Sequence, residues 1–225
     1  MKDFKCRCSA IGKIMTAPRA KSETLSETCK TYLKEWVVEQ LFNRKKEFSN
    51  KYTEKGLIVE DNSIDFIGEQ LKIGFLFKNE KYFENDFICG TPDVILENLV
   101  IDVKNSWDIF TFPYFETEIP NKDYYWQAQG YMALTNKSKF KLVYVLSDTP
   151  DNLIERECYS YCNKNGIEYD VDVFNEFAKK MTYSDIKNEM KIKIFEIERN
   201  DADIQAIFEK VNECRVFTKE LIKNK

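Results

Sequence analysis

The sequence predicts one mixed α/β domain over residues 1–225, a sheet flanked by helices, and three observations carry that prediction. The 225 residues suffice for one hydrophobic core, and 43% are hydrophobic and 14% aromatic, as in folded globular chains. No repeat, low-complexity tract or linker rich in Pro, Gly or Ser divides the chain. The hydrophobic period is helical at first, changes to two near residue 73 and later alternates between helix and strand.

Helical spacing dominates the N-terminal part of the chain. Apolar residues recur there every three or four positions, and Ser22 can cap the second helix. Helices are expected over residues 9–16, 22–48 and 51–71.

Strand-like alternation follows. Ile73, Phe75 and Phe77 are separated by single residues, and residues 78–81 have the composition of a turn. Short strands over 82–89, 93–96 and 99–104 would complete an antiparallel meander. Further strands are expected over 140–146 and 192–197, and further helices over 122–135, 153–162, 174–181 and 201–222. The meander and the strand at 140–146 would form the mixed sheet.

Composition excludes several kinds of chemistry. The chain has no histidine, which rules out Ser–His and Cys–His nucleophile pairs, histidine-ligated zinc and histidine bases. Seven cysteines at irregular spacing, with no export signal, predict reduced thiols. Acid, base or metal chemistry must therefore come from carboxylates, lysine, tyrosine or thiolate.

Charge is unevenly distributed although the net charge is only −4. Residues 1–60 hold 13 Lys and Arg against 8 Asp and Glu, whereas the rest hold 21 against 30. A solvated surface explains such asymmetry, and so does a site for a polyanion. No apolar run approaches the roughly 18 residues of a membrane span, and the N-terminus lacks the apolar region of a signal peptide. We therefore expect a cytoplasmic protein with no membrane partner.

The pattern that carries chemistry is a Pro-Asp pair followed by Asp-Val-Lys. Asp102 and Lys104 lie two apart on a predicted strand, so they project from one face while Ile101 and Val103 project from the other. Asp93 lies one hairpin earlier and can come opposite Asp102. Two converging carboxylates form a site for a hard divalent cation. A surface ion pair between Asp102 and Lys104 is the alternative interpretation.

Two further patterns lie on predicted helices. Gly56 and Glu60 are four residues apart and therefore share a helix face. A glycine inside a helix costs about 1 kcal/mol relative to alanine, so it requires a packing reason or a functional one. Gln127 and Tyr131 are also four apart, although an amphipathic helix with ordinary polar residues explains them as well.

In this order, the motifs resemble those of the PD-(D/E)XK nuclease superfamily, whose elements Pro92-Asp93 and Asp102-Val103-Lys104 are present without substitution. Gln127 and Tyr131 resemble a motif of RecB-type and lambda-type exonucleases. Residues 8–15 and 197–200 are similar to the opening helix and closing strand of the lambda-exonuclease and YqaJ-like viral recombination exonucleases. The resemblance covers most of the chain, with nothing recognisable over 151–188.

The resemblance implies a restriction-endonuclease-like fold and a metal-dependent site. Asp93 and Asp102 would hold Mg²⁺, with Mn²⁺ as a substitute. The backbone carbonyl of Val103 would be a further ligand, and Glu60 would join this cluster or bind a second ion. Lys104 would position and help deprotonate the attacking water, its proton affinity lowered by the metal and by desolvation.

The resemblance also assigns residues to DNA. Gln127 and Tyr131 would orient Lys104 or the DNA backbone, and the remaining contacts would come from Ser9, Lys13, Arg19, Ser106 and Trp107. The aromatic run at 110–115 is expected to pack rather than to stack on bases. Cys158 and Cys162 do not have the spacing of the iron–sulfur site found in some RecB-like nucleases.

The implied activity is metal-dependent hydrolysis of one strand from duplex DNA ends, 5′ to 3′, in phage-type recombination. The resemblance further implies a homotrimer, a single-strand annealing protein as partner, and the cytoplasm of an infected or lysogenic bacterial host. Two alternatives stay open: an endonuclease of restriction or nicking type, and a catalytically silent protein that binds DNA ends.

Overall fold

The computed structural model describes residues 2–46 and 50–223. Within them the fold is mixed α/β, as predicted. The strands are β1 (Cys6–Arg7), β2 (Phe83–Glu84), β3 (Ile88–Gly90), β4 (Val94–Ile95), β5 (Leu99–Asn105), β6 (Lys139–Val145) and β7 (Ile192–Glu198). The helices are α1 (Ile11–Met15), α2 (Glu27–Phe42), α3 (Lys51–Gln70), α4 (Lys122–Thr135), α5 (Asp151–Asn165), α6 (Val171–Met181) and α7 (Asp201–Lys223). In this part of the chain no helix is long and apolar enough to cross a membrane.

The main sheet has the strand order β4-β5-β6-β7. Strands β5 and β6 run parallel and the two outer pairs are antiparallel. A second, small sheet has the order β1-β3-β2. Strand β6 pairs with β5 over its whole length, so the β5 backbone is held in place where it carries the Asp-Val-Lys motif, whereas β4 pairs only with Val100 and Ile101.

Helices cover both faces of the main sheet. Ile101 and Val103 of β5 pack with Ile64 and Ile67 of α3. On the opposite face, Val100 belongs to a larger core that includes residues of α4, α7 and the N-terminal segment. The predicted alternation along β5 is therefore confirmed.

Close packing of the N-terminal segment against α4 depends on glycine. A Cβ on Gly130 would collide with the side chains of Ile11 and Cys8, and one on Gly12 would collide with Asp123. These two glycines thus have a packing reason.

The ends of α2 differ from the prediction. Its N-cap is Ser26, whose hydroxyl accepts a hydrogen bond from the Cys29 N–H, rather than Ser22. The helix ends at Asn43, which adopts a left-handed conformation with φ of 48°. Of the predicted extension to residue 48, residues 47–49 lie outside the described part of the chain.

The predicted meander is wrong in two respects. Ile73, Phe75 and Phe77 form no strand, and the rings of the two phenylalanines are 75% and 77% exposed, because no neighbouring strand pairs with this segment. The remaining hairpins are split between two sheets, since β3 pairs with β1 and β2 whereas β4 pairs with β5. Pro92 lies between β3 and β4 and has no N–H for a continuing ladder.

The predicted bounds of α4 are confirmed. Asn121 caps the helix by accepting from the Asp123 N–H, and Asn136 ends it with φ of 54°. The other predicted helices and strands of the C-terminal half are present within a few residues of their expected ends. Helix α4 carries Gln127 and Tyr131 toward β5.

Candidate active site

The Asp-Val-Lys motif lies at the C-terminal end of β5, and β4 brings Asp93 beside it. The antiparallel register pairs Val94 with Ile101, so Asp93 continues that register opposite Asp102. The Asp93 carboxylate accepts a hydrogen bond from the Val103 N–H at 2.7 Å. The expected convergence of the two aspartates is therefore present.

Burial and the second aspartate raise the pKa of Asp93 to about 8. Glu60 adds to this rise, whereas Lys104 and the Val103 N–H oppose it. In such surroundings, a nearby cation stabilises the ionised form of the carboxyl. The cation compensates both for the lost hydration and for the neighbouring negative charge.

Asp102 is buried, with 2% of its surface exposed. Its Oδ1 accepts a hydrogen bond from Gln127 Nε2 at 3.1 Å, so α4 orients the carboxylate. Its Oδ2 forms an ion pair with Lys104 Nζ at 2.5 Å and has no other partner among residues 2–46 and 50–223. A buried carboxylate oxygen with a single partner can also serve as a ligand for a cation.

The carboxylates beside Lys104 raise its pKa, and the expected decrease beside a bound metal ion stays a prediction. Burial disfavours its charge, but Asp102 and Asp93 outweigh that effect and raise the pKa of Lys104. The ammonium group also lies 5.0 Å from the centre of the Tyr124 ring. The Asp102–Lys104 pair is thus real but is not the surface ion pair of the alternative interpretation.

Glu60 lies near this pair without joining it. Its carboxylate forms an ion pair with Lys78 Nζ at 2.8 Å, because the irregular segment after α3 returns past this helix. In the described residues, no group of three His, Cys, Asp or Glu side chains is arranged to hold a metal ion. The predicted cluster of three carboxylates is therefore not assembled, although Asp93 and Asp102 together fit a hard divalent cation.

A cleft of about 650 Å³ opens over the end of β5. Gly56 and Glu60 of α3 form one wall, and Lys104 and Gln127 also line it. A Cβ on Gly56 would meet nothing within 4 Å, so the structure offers no packing reason for this helical glycine. The cleft can therefore admit a ligand backbone close to α3.

The predicted DNA contacts are only partly gathered in the cleft. Ser9 and Ser106 line it, and the buried hydroxyl of Ser106 has no hydrogen-bond partner in the described part of the chain. Tyr131 lies deeper and donates to the Thr91 carbonyl at 3.1 Å, which holds the turn before Asp93. Lys13 lies outside, over the ring of Tyr32. Arg19 is exposed on the surface.

Trp107 borders the cleft, but most of its side chain is buried in a hydrophobic cluster. Its side chain is 7% exposed and packs with Leu153, Ile154 and Met181. Lys55 Nζ donates to its carbonyl at 2.8 Å. Little of the ring is available to stack on a base, so its predicted role in reaching DNA is reduced to an edge contact.

The residues of the aromatic run after β5 differ in their burial. Phe112 is buried as expected. Phe110 and Phe115 are both 90% exposed, so the expectation that the run packs is wrong for them. Local sequence could not separate the three, because their burial depends on contacts with distant elements.

Several cleft residues carry no sequence motif. They come from α3, from β5 and the segment after it, from α4 and from β6: Tyr52, Thr53, Leu57, Asn105, Thr111, Tyr124 and Tyr144. Only Asn105 had a signal, since it directly follows Lys104 and ends the same strand.

Comparison with known proteins agrees with this geometry. No protein-family model matches the sequence, and no curated protein matches it. Among solved structures, a phage-related exonuclease from Haemophilus somnus 129PT is 29% identical, with 99% of this chain and 97% of that chain covered and a TM-score of 0.80. An alkaline exonuclease from Laribacter hongkongensis is 16% identical, with 98% and 90% covered and a TM-score of 0.67.

The Laribacter enzyme has also been solved in complex with dAMP, and that structure is 18% identical with a TM-score of 0.66. The two Laribacter structures are similar to this chain in fold. This is the restriction-endonuclease-like α/β fold that the motifs implied. Over nearly its full length, the chain therefore shares the fold of a phage-related exonuclease and of an alkaline exonuclease.

Proposed function

We propose that this protein is a divalent-metal-dependent deoxyribonuclease that removes nucleotides from the ends of duplex DNA. The observation that carries the proposal is the buried Asp93–Asp102 pair beside Lys104, placed under a cleft at the end of β5. The 29% identity to a phage-related exonuclease along 99% of the chain favours the same class of activity.

Mg²⁺ is the proposed cofactor, and Mn²⁺ would substitute for it. Asp93 and Asp102 would hold the ion, and the Val103 carbonyl is a third candidate oxygen ligand. When bound, such an ion acts as a Lewis acid toward a phosphodiester. Glu60 would take part only after it leaves Lys78, its partner in this structure.

Lys104 is the proposed group that acts on the attacking water. Both aspartates raise the pKa of Lys104, so the amine is protonated and paired. Engagement of the carboxylates by a cation would remove that influence and let the amine orient a water molecule and accept its proton. With no histidine in the chain, lysine is the available nitrogen base.

Residues around this cluster would orient the substrate. Gln127 holds the Asp102 carboxylate and faces the cleft. Gly56 leaves space for the sugar-phosphate backbone, and Ser9 and Ser106 offer hydroxyls to it. Each of these contacts is neutral, so positive charge for the duplex would come from the basic N-terminal segment.

The finer features of the proposal follow from the family resemblance. They are 5′-to-3′ polarity, a role in phage-type recombination, a homotrimeric assembly, a single-strand annealing protein as partner, and a place in the bacterial cytoplasm. A nicking or restriction-type endonuclease is the second candidate, because the same cluster can serve either reaction.

The test compares linear with covalently closed circular duplex, each incubated with Mg²⁺, with Mn²⁺ or with EDTA. We expect release of nucleotides from linear DNA only, and only with a divalent ion. Cutting of the closed circle would instead identify an endonuclease. Binding of linear DNA without any hydrolysis would identify a silent end-binding protein.

Asp102→Asn is the matched inactive variant. It removes charge without changing side-chain volume, so the fold and DNA binding are expected to persist while cleavage disappears. Affinity for DNA should stay equal or rise, because one repulsive carboxylate is gone. Cleavage at the wild-type rate would show that the site is assigned wrongly.

A further inference from the structure

Asn105 borders the cleft directly after Lys104, and none of the roles above uses it. It is the last residue of β5, and strand alternation turns its side chain toward α3. Two serine hydroxyls meet its amide oxygen there. Asn105 Oδ1 lies 2.6 Å from Ser63 Oγ of α3 and 3.0 Å from Ser147 Oγ, which follows β6.

These contacts define how the amide is turned. A separation of 2.6 Å is typical of a hydroxyl donor and an oxygen acceptor, and it is shorter than the roughly 2.7–3.2 Å of an N–H donor. The Ser63 hydroxyl also lies 2.9 Å from the Val59 carbonyl and has one proton for the two acceptors. The shorter of these two contacts is the one to Asn105, and it assigns the amide oxygen to the side of the two serines, which are themselves 2.9 Å apart. Asn105 Nδ2 is left on the cleft side, where it donates to no atom within residues 2–46 and 50–223 and is not sealed from solvent.

We propose that Asn105 orients the substrate by donating from Nδ2 to a non-bridging phosphate oxygen of the DNA strand in the cleft. The inference rests on the proposed function. Gly56, on the facing wall, leaves room for the backbone to come this close. Ser63 and Ser147 are positioning residues, since they keep the amide oxygen away from the phosphate.

The experiment measures the affinity of end-labelled linear duplex by fluorescence anisotropy in Ca²⁺, and cleavage in Mg²⁺. Asn105→Asp places a carboxylate against the phosphate, so its affinity should fall by about tenfold or more. Asn62→Asp is the control with the same charge change. Asn62 is exposed on α3 and borders a different depression, so this variant should bind within about twofold of wild type.

Two further variants separate an orienting role from a structural one. Asn105→Ala should weaken binding without changing the salt slope, because no cation leaves the interface. The double variant Ser63→Ala, Ser147→Ala frees the amide to turn, so KM should rise more than kcat falls. Thermal unfolding of each variant is measured alongside, and unfolding close to wild type is expected.

Equal affinities of Asn105→Asp and Asn62→Asp would overturn the inference, provided that wild type binds and cleaves DNA. So would a loss of affinity that matches a loss of stability in both Asn105 variants. If Asn105→Asp does not fold, Asn105→Ala decides by its affinity and salt slope. A wild-type protein that neither binds nor cleaves DNA would overturn the proposed function, and this inference with it.

Discussion

Burial raises the pKa of Asp93, whereas the pKa of Lys104 rises in spite of its burial. The pKa of Asp93 rises to about 8 through burial and Asp102, and the pKa of Lys104 rises because two carboxylates outweigh its burial. Negative charge in the cluster raises both pKa values, and burial adds to the rise for Asp93 and opposes it for Lys104. A divalent cation bound by the two aspartates would favour their ionised forms.

Lys104→Arg tests the role of the amine. Arginine keeps the positive charge but stays protonated and cannot accept a proton from water. We expect cleavage to fall by about 10²-fold to 10⁴-fold, as for Lys104→Ala, with DNA binding retained. Rates of linear-duplex hydrolysis in Mg²⁺ measure the effect, and near-normal hydrolysis by the arginine variant would show that only the charge matters.

Asp93→Asn tests the shifted titration through stability. Between about pH 4 and about pH 8 the folded chain keeps a proton on Asp93 that the unfolded chain has lost. Wild-type stability should therefore decrease as pH rises through this window, by up to about 1.4 kcal/mol per pH unit. The asparagine variant lacks this dependence, so its advantage should grow toward about pH 8 and then stay constant.

The measurement for Asp93→Asn is denaturant unfolding of both proteins across that pH range, first with EDTA and then with Ca²⁺. The cation favours the ionised carboxyl, so it should flatten the wild-type decrease and leave the variant unaffected. Parallel stability curves in EDTA would contradict the assigned shift.

At the scale of elements, α3 and α4 pack on opposite faces of β5 and contribute differently to the site. Helix α4 packs tightly against the N-terminal segment and sends Gln127 to Asp102. The second half of helix α3 packs against β5 through Ile64 and Ile67, and the first half borders the open cleft. Gly56 and Gly68 show the difference, because only Gly68 lies against another part of the backbone.

Gly56→Ala should stabilise the fold and impair the reaction. Alanine is favoured over glycine inside a helix by about 1 kcal/mol, and its Cβ meets no protein atom. The same methyl group narrows the cleft where DNA is proposed to pass, so cleavage should fall by about tenfold to a hundredfold. Denaturant unfolding and hydrolysis of linear duplex measure the two effects.

Gly68→Ala is the control in the same helix. Its Cβ would collide with the Gly74 carbonyl oxygen, so this variant should lose stability. If Gly56→Ala is more stable and cleaves DNA at the wild-type rate, the close approach of DNA to α3 is wrong.

At the scale of the molecule, charge is divided between the N-terminal part and the rest of the chain. Lys13 and Lys46 share a surface depression with Thr28, Thr31 and Tyr32, to one side of the cleft. Glutamates border the same depression, and Lys46 is paired with one of them. Lys13 forms no ion pair within residues 2–46 and 50–223, so no carboxylate there offsets its positive charge and the ammonium group can bind a phosphate.

Lys13→Ala should weaken DNA binding about equally for all sequences and lower the salt slope by about one unit. The readout is affinity for linear duplex over a range of salt in Ca²⁺. Preference for a 5′-phosphorylated end should also decrease if Lys13 meets the terminal phosphate. Lys164→Ala, an exposed lysine of the acidic part, is the control and should change neither quantity. An unchanged slope and end preference for Lys13→Ala would assign it to the solvated surface.

The sequence alone determined most helices, the strands of the main sheet and the pairing of the two aspartates. The bounds of α4, the extent of β5 and the approach of Asp93 to Asp102 follow from periodicity, caps and a short hairpin, all of which act within a few residues. Tertiary structure decided the rest. It paired Glu60 with Lys78, left Phe75 and Phe110 exposed, and brought Asn105 to serines 42 residues away on either side. These outcomes depend on contacts between distant segments, whose charges and surfaces meet only after the sheet and its helices have packed.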